Sequence, residues 1–194
     1  MSTLPSASAL LLLIDLQQGF SSPCWSHWGG NRNNPEMEDN ISTLLATWRG
    51  RGSPVWHVHH SSLEKRSPLH ESHEGFACMP RLGPITVDGK EEPVYVKHVN
   101  SAFIGTTLEE DLRKNGITEV VLCGLTTHHC VSTSTRMAAN LGFSCWVAGD
   151  GCAVFDRAAA TGPTAVFPAD VVHDVNLASL HGEFARVVKT TEIS

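Results

Sequence analysis

A thiol, a carboxylate and an ammonium group occupy three comparable places in this sequence, each shortly after an apolar run. Cys130 lies in Thr126-Thr127-His128-His129-Cys130-Val131. There the run Glu119-Val120-Val121-Leu122-Cys123 gives way to a glycine-containing turn, and Ser132 to Leu141 takes up the spacing of an amphipathic helix. Asp15 closes Leu11-Leu12-Leu13-Ile14, and Lys97 closes Val94-Tyr95-Val96. A cysteine at a helix N-terminus meets free N–H groups and the positive end of the helix dipole, which favour a thiolate and an oxyanion formed beside it. The implied chemistry is nucleophilic attack. A free thiol with pKa about 8.5 is mostly protonated at neutral pH, and a helix terminus contributes only about 0.3 to 2 kcal/mol. The dipole alone is marginal, so the nucleophile needs a base and a charged partner, the roles for which Asp15 and Lys97 are suited.

The elements that must position these groups are legible as apolar runs at 9–14, 55–58, 94–96, 120–123, 144–148 and 185–188, which read as strands buried on both faces. Helices alternate with them. Pro35-Glu36-Met37-Glu38 opens the first, with Asn34 as its cap and Gly50 to Gly52 as its stop. Thr106 or Thr107 ahead of Glu109 and Glu110 resembles a capping-box start for the second, which Gly116 ends. The third runs from near Cys130 to Leu141, and the fourth spans Ala169 to Leu180. Alternating strands and helices predict a parallel sheet covered on both faces, whose ligands bind beyond the carboxyl ends of the strands. Asp15, Lys97 and Cys130 all fall at that end. The long segment 61–92, between the second and third strands, reads as a loop of the kind that shapes a site.

Composition narrows the function further. The 194 residues suffice for one domain with a sizeable core, and no linker divides 1–194. A formal net charge of −6 and the lack of a Lys/Arg cluster argue against nucleic acid and favour a small-molecule substrate. The longest apolar run, 9–14, is too short to span a membrane and has no basic leader, so a cytoplasmic protein is expected. The six cysteines show no CxxC spacing and are expected to be reduced thiols.

Leu13-Ile14-Asp15-Leu16-Gln17, the Lys97 strand followed by Asn100-Ser101-Ala102-Phe103, and Gly124-Leu125-Thr126 with Cys130-Val131 and Thr133 together resemble the isochorismatase-like cysteine hydrolases. The resemblance implies a three-layer α/β/α sandwich around a six-stranded parallel sheet, with Asp15, Lys97 and Cys130 as the catalytic triad. It also implies a cis peptide between Leu125 and Thr126, an oxyanion hole formed by the N–H groups of Thr126 and Cys130, and a homo-oligomer, dimer or tetramer. The expected activity is cofactor-independent hydrolysis of a C–N bond in a small amide or ureide through a Cys130 thioester. The alternatives are vinyl ether hydrolysis, as in isochorismatases proper, and a non-catalytic binding protein on the same fold.

Nicotinamidases of this superfamily resemble the His57 region in carrying a zinc site. Their pattern places an Asp at the strand end with His two residues on, and that Asp is missing here, so no metal is expected. His57, with His59 and His60, is read instead as lining the pocket or a subunit contact, and the pocket wall is expected to include Phe20, Trp25 and Trp28 of the loop after Asp15 and Asn100 and Phe103 after Lys97. His128 and His129 stand beside the thiol either as acid groups or as structural residues.

Overall fold

The computed structural model describes residues 5–162 and 165–194. Six parallel strands form the central sheet: β1 (Leu10–Ile14), β2 (Val55–His60), β3 (Val94–Lys97), β4 (Glu119–Leu125), β5 (Ser144–Ala153) and β6 (Arg186–Val188). Their order is β6-β5-β4-β1-β2-β3. The direction of winding reverses between β1 and β4, and β1 is central because Leu10 to Ile14 are all apolar and fully buried, with a strand on either side. Among the described residues, four helices of seven or more residues flank the sheet: α1 (Met37–Gly50), α2 (Leu108–Lys114), α3 (Ser132–Asn140) and α4 (Ala169–Leu180).

Side-chain alternation along β2 assigns the helices to faces. His57 points to the side where Arg49 of α1 shares Glu92 with it, whereas Trp56 packs at a tilt against Tyr95, whose hydroxyl reaches Asp111 of α2. The two helices therefore cover opposite faces, as the α/β/α architecture requires. Cys145 is in register with Val120 of β4 and lies against the Thr135 carbonyl of α3, and α4 packs beside α3.

Several local expectations are corrected. β3 is an edge strand, so Val94 and Val96 are 38% and 44% exposed instead of buried on both faces. β5 runs on to Ala153, beyond the apolar stretch, because a register shift lets Cys152 pair with Gly124 after Val147 has paired with Leu122. Asn34 does not cap α1; its side-chain amide reaches the Cys152 carbonyl instead. The start of α2 is held by Thr106 Oγ1, which accepts from the Leu108 N–H, and no capping box forms. Gly116, at φ 66°, ends that helix, with its N–H donated to the Arg113 carbonyl.

Candidate active site

The carboxyl end of β1 is shaped by backbone geometry that few residues accept. Asp15 has φ 53°, a left-handed conformation that aspartate tolerates better than most residues, and its N–H donates to the Val58 carbonyl at 2.8 Å. Gly124, at φ 125°, lies so close to the Ile14 carbonyl that a Cβ there would collide with it, so glycine is what lets β4 approach the chain next to Asp15. Buried Gln17 fastens the end of β2: its amide nitrogen donates to the His60 and Phe76 carbonyls, and its oxygen accepts from the His60 N–H at 2.8 Å.

Three strand ends thereby meet around one ammonium group. Lys97 and Asp15 are completely buried, with Lys97 Nζ 2.7 Å from Asp15 Oδ2. The same nitrogen lies 3.1 Å from His60 Nδ1 and 3.2 Å from Cys130 Sγ, so its three protons have three acceptors. Burial alone would lower the Lys97 pKa, but Asp15 and Cys130 outweigh it and hold lysine above its ordinary value. Burial, reinforced by Lys97, lowers the His60 pKa, so His60 is uncharged, accepts through Nδ1 and carries its proton on Nε2.

Cys130 corrects one inference drawn from the sequence. It lies in a π-helical turn, Thr127–Val131, that leads into α3, rather than in the first turn of an α-helix. The thiol is 8% exposed, and burial, with Asp15 adding to it and Lys97 opposing, pushes its pKa well above the usual cysteine range. The resting group is therefore S–H, because desolvation beside a carboxylate exceeds what a helix end supplies. Asp15 Oδ1 is buried and has no hydrogen-bond partner among the described residues. The thiol proton is the donor best placed for it, since the Asp15, His60 and Cys130 polar atoms all lie within 4.8 Å of one another.

That spacing would also suit metal ligands, but the residues do not fit a cation. Lys97 Nζ bonds to all three groups and fills their centre with positive charge. The other histidines of β2 are engaged elsewhere: His57 Nε2 is 2.8 Å from Glu92 and His59 Nε2 is 3.0 Å from Cys78 Sγ.

Above the thiol opens a cavity of about 320 Å³. Asp15, Cys130, Thr126, Phe20 and Asn100 line it. Lys97 is beneath it. Trp25, His57 and Phe103 are not in its wall. Trp25 donates from Nε1 to the Phe20 carbonyl and carries the Arg32 guanidinium over its ring, while the neighbouring Trp28 faces the cavity. His57 lies on the α1 face of the sheet with Glu92, and Phe103 stacks on Phe143 with ring centroids 6.2 Å apart. Trp28, His60 and parts of the 61–92 loop also line it, and His27, Phe155, His128, His129 and Arg157, which were not read as pocket wall, complete it. Phe20 and Trp28 lie 4.6 Å apart at their centroids, forming an aromatic side wall. The peptide bond between Leu125 and Thr126 is cis, as the resemblance implies.

An isochorismatase domain model matches residues 9–192 of this chain. The chain belongs to the isochorismatase family. It is a hydrolase of that family. It is 41% identical over 183 residues to the uncharacterized isochorismatase family protein YrdC of Bacillus subtilis (strain 168), covering 94% of this chain and 92% of YrdC. A crystal structure from Chromobacterium violaceum ATCC 12472, assigned as a hydrolase of the family, superposes with TM-score 0.88 at 41% identity, covering 97% of this chain and 93% of that one. Nicotinamidase 3 of Arabidopsis thaliana is 27% identical over 167 residues, 78% of this chain and 76% of the relative. Among the described residues, no helix of this family member is long and apolar enough to cross a membrane.

Proposed function

We propose that this family member hydrolyses a C–N bond of a small amide or ureide through a thioester on Cys130. The observation that carries the reading is the buried trio in which Lys97 bonds both Asp15 and Cys130 while Asp15 Oδ1 has, among the described residues, only the thiol proton within its reach. A binding protein has no evident need for a buried carboxylate, whose desolvation costs free energy, set to receive the proton of a buried thiol. The similarity to a nicotinamidase, an amide hydrolase by name, points the same way.

The steps balance as follows. Asp15 takes the proton of Cys130, and the sulfur electron pair forms a bond to the substrate carbonyl carbon. Lys97 stabilises the sulfur as it becomes anionic, which offsets the penalty that burial places on a thiolate. The carbonyl oxygen becomes an oxyanion that the N–H groups of Thr126 and Cys130 are assigned to bind. The C–N bond then breaks, the nitrogen takes the proton from Asp15, and amine or ammonia leaves a thioester behind. Water, deprotonated by Asp15, attacks the thioester; the acid departs and the sulfur regains its proton. Phe20, Trp28 and Phe155 offer the substrate an apolar wall, and Asn100 and Arg157 offer polar contacts across it.

A screen of small amides, ureides and nicotinamide, read by ammonia or amine release, and of isochorismate, read by release of pyruvate from its vinyl ether, tests the substrate class. Release from an amide or ureide that Cys130→Ala abolishes is expected. Turnover of isochorismate alone, retained in Cys130→Ala, would replace this reading with vinyl ether hydrolysis.

A further inference from the structure

Among the described residues, and apart from the approach of the thiol to Asp15, two side-chain hydrogen bonds tie the Cys130 turn to elements outside it and α3. One is the Lys97 contact with the sulfur. The other leaves Thr127 on the side away from Lys97: its Oγ1 lies 2.9 Å from His173 Nδ1 of α4. Thr127 is fully buried and His173 is 6% exposed.

The protons of this link can be assigned. Asn34 Nδ2 is 2.6 Å from the Cys152 carbonyl oxygen and 3.4 Å from that of Gly149, so the amide nitrogen faces two acceptors and its orientation is set. The same nitrogen stands 3.4 Å from His173 Nε2 and, being an amide nitrogen, cannot accept from an Nε2–H, so Nε2 is assigned as the unprotonated ring nitrogen. The imidazole proton is then on Nδ1 and is donated to Thr127 Oγ1. Burial keeps His173 uncharged by lowering its pKa, against Asp174 and Asp170 of its own helix and Asp150 of β5. His173 faces a separate cavity, shared with Asp150, Asp170, Asp174 and Lys189, and does not line the one above the thiol.

We propose that His173 is a positioning residue for Cys130, acting through Thr127 to keep the turn, and hence the sulfur, beside Lys97 and Asp15. The inference rests on Cys130 as nucleophile for its catalytic consequence, though not for its geometry. A single hydrogen bond of this kind contributes little to stability, whereas a displacement of about 1 Å in a reacting atom can cost about 100-fold in rate. Activity should therefore be lost out of proportion to stability.

Iodoacetamide is the probe, because its reaction with Cys130 as a function of pH reports the surroundings of the sulfur without any substrate. The groups around the thiol are Asp15, Lys97 and His60, with His128 and His129 on its own turn and Arg157 across the cavity. His173→Gln keeps an acceptor toward Asn34 but loses the donor to Thr127, Thr127→Val loses the acceptor at similar volume, and His173→Asn keeps an N–H near the Nδ1 position. If the turn slips, the sulfur leaves Asp15 and its buried site, so its alkylation midpoint should fall by at least one pH unit in His173→Gln and in Thr127→Val. The double variant should fall no further, and His173→Asn should stay within half a unit of wild type. With the amide giving most ammonia in the screen, kcat should drop at least ten-fold in the first two variants with KM within three-fold, and His173→Asn should recover most of it. Wild-type midpoint and kcat in His173→Gln, with native circular dichroism, would overturn the proposal while leaving the Cys130 mechanism intact. Should Cys130→Ala itself turn over substrate, the mechanism fails, and the alkylation midpoints alone decide the positioning role.

Discussion

Lys97 Nζ lies 2.7 Å from Asp15 Oδ2, and neither side chain is exposed to solvent. Removing one partner of such a buried pair strands the other, at a cost of about 3 to 5 kcal/mol, whereas removing both together costs less than the sum. Lys97→Met should therefore lower the Tm sharply and Asp15→Asn moderately, since asparagine still accepts from the ammonium. Asp15→Asn with Lys97→Met should be more stable than additivity allows. Additive losses in thermal denaturation would mean that the pair is not coupled.

Asp15→Asn should have opposite effects on two rates. Loss of proton acceptance should slow acylation by at least about 100-fold, the lower end of general-base catalysis. Alkylation of the same thiol should become faster, because Asp15 is one of the influences that raise the Cys130 pKa and asparagine carries no charge. Lys97→Met should slow both, since Lys97 lowers that pKa. Stopped turnover and iodoacetamide rates measured side by side check the pair of signs; a parallel fall in Asp15→Asn would remove Asp15 from the surroundings of the sulfur.

Wild-type Cys130 should be unreactive for an active-site thiol. With its pKa raised, the thiolate fraction grows only at alkaline pH, so iodoacetamide labelling at pH 7 should be slower than that of an exposed model thiol and should climb about ten-fold per pH unit through pH 8 to 10. Peptide mapping of the labelled protein measures it. A plateau reached below pH 8 would show a stabilised thiolate instead.

The meeting of Asp15, Lys97 and Cys130 was legible because each follows an apolar run, and strand ends in a parallel sheet converge on one edge. The six strands were legible for the same reason: burial on both faces writes an unbroken apolar run into most of them. Pocket-wall residues were harder. His57 and His60 differ by three positions on β2, an odd number that puts them on different sides, and no local signal says which side holds the thiol. Trp25 and Trp28 sit in one short helical turn, where the orientation of a loop decides which ring faces the cavity. The protonation of Cys130 was out of reach for another reason: the helix end is a local feature, but burial and the approach of Asp15 are products of the whole fold.

Chelation should leave activity unchanged. The one group of His, Cys and carboxylate ligand atoms with metal-like spacing among the described residues, Asp15–His60–Cys130, is bridged by the Lys97 ammonium. Exhaustive dialysis against a chelator followed by assay decides the matter. Loss of activity that zinc restores would require Lys97 to give up its charge or its place.

Acid should destabilise the fold through His57 and Glu92, which are bonded at 2.8 Å on the α1 face. Burial lowers the His57 pKa, so the unfolded chain binds that proton more readily, and the stability His57 contributes is present above about pH 6.5 and lost as pH falls through its lowered value. Burial would raise Glu92, but hydrogen bonds from Arg49 and His57 prevail and lower it, so its contribution is lost at still lower pH, below about 4.3. Both act in the same direction. The Tm should fall on going from pH 7 to pH 5, and His57→Gln, which keeps an N–H toward Glu92 and cannot titrate, should flatten that part of the curve. An unchanged slope in His57→Gln would move the acid sensitivity elsewhere.

The most direct measurement is rapid acid quench of the working enzyme, with the best amide or ureide of the screen, followed by mass spectrometry of the peptide containing Cys130. A covalent intermediate on that thiol predicts an added mass equal to the acyl part of the substrate, on Cys130 and on no other cysteine, formed and consumed at rates compatible with kcat and absent from Cys130→Ala. Steady turnover with no such adduct at any time, and near-native kcat in Cys130→Ala, would contradict it.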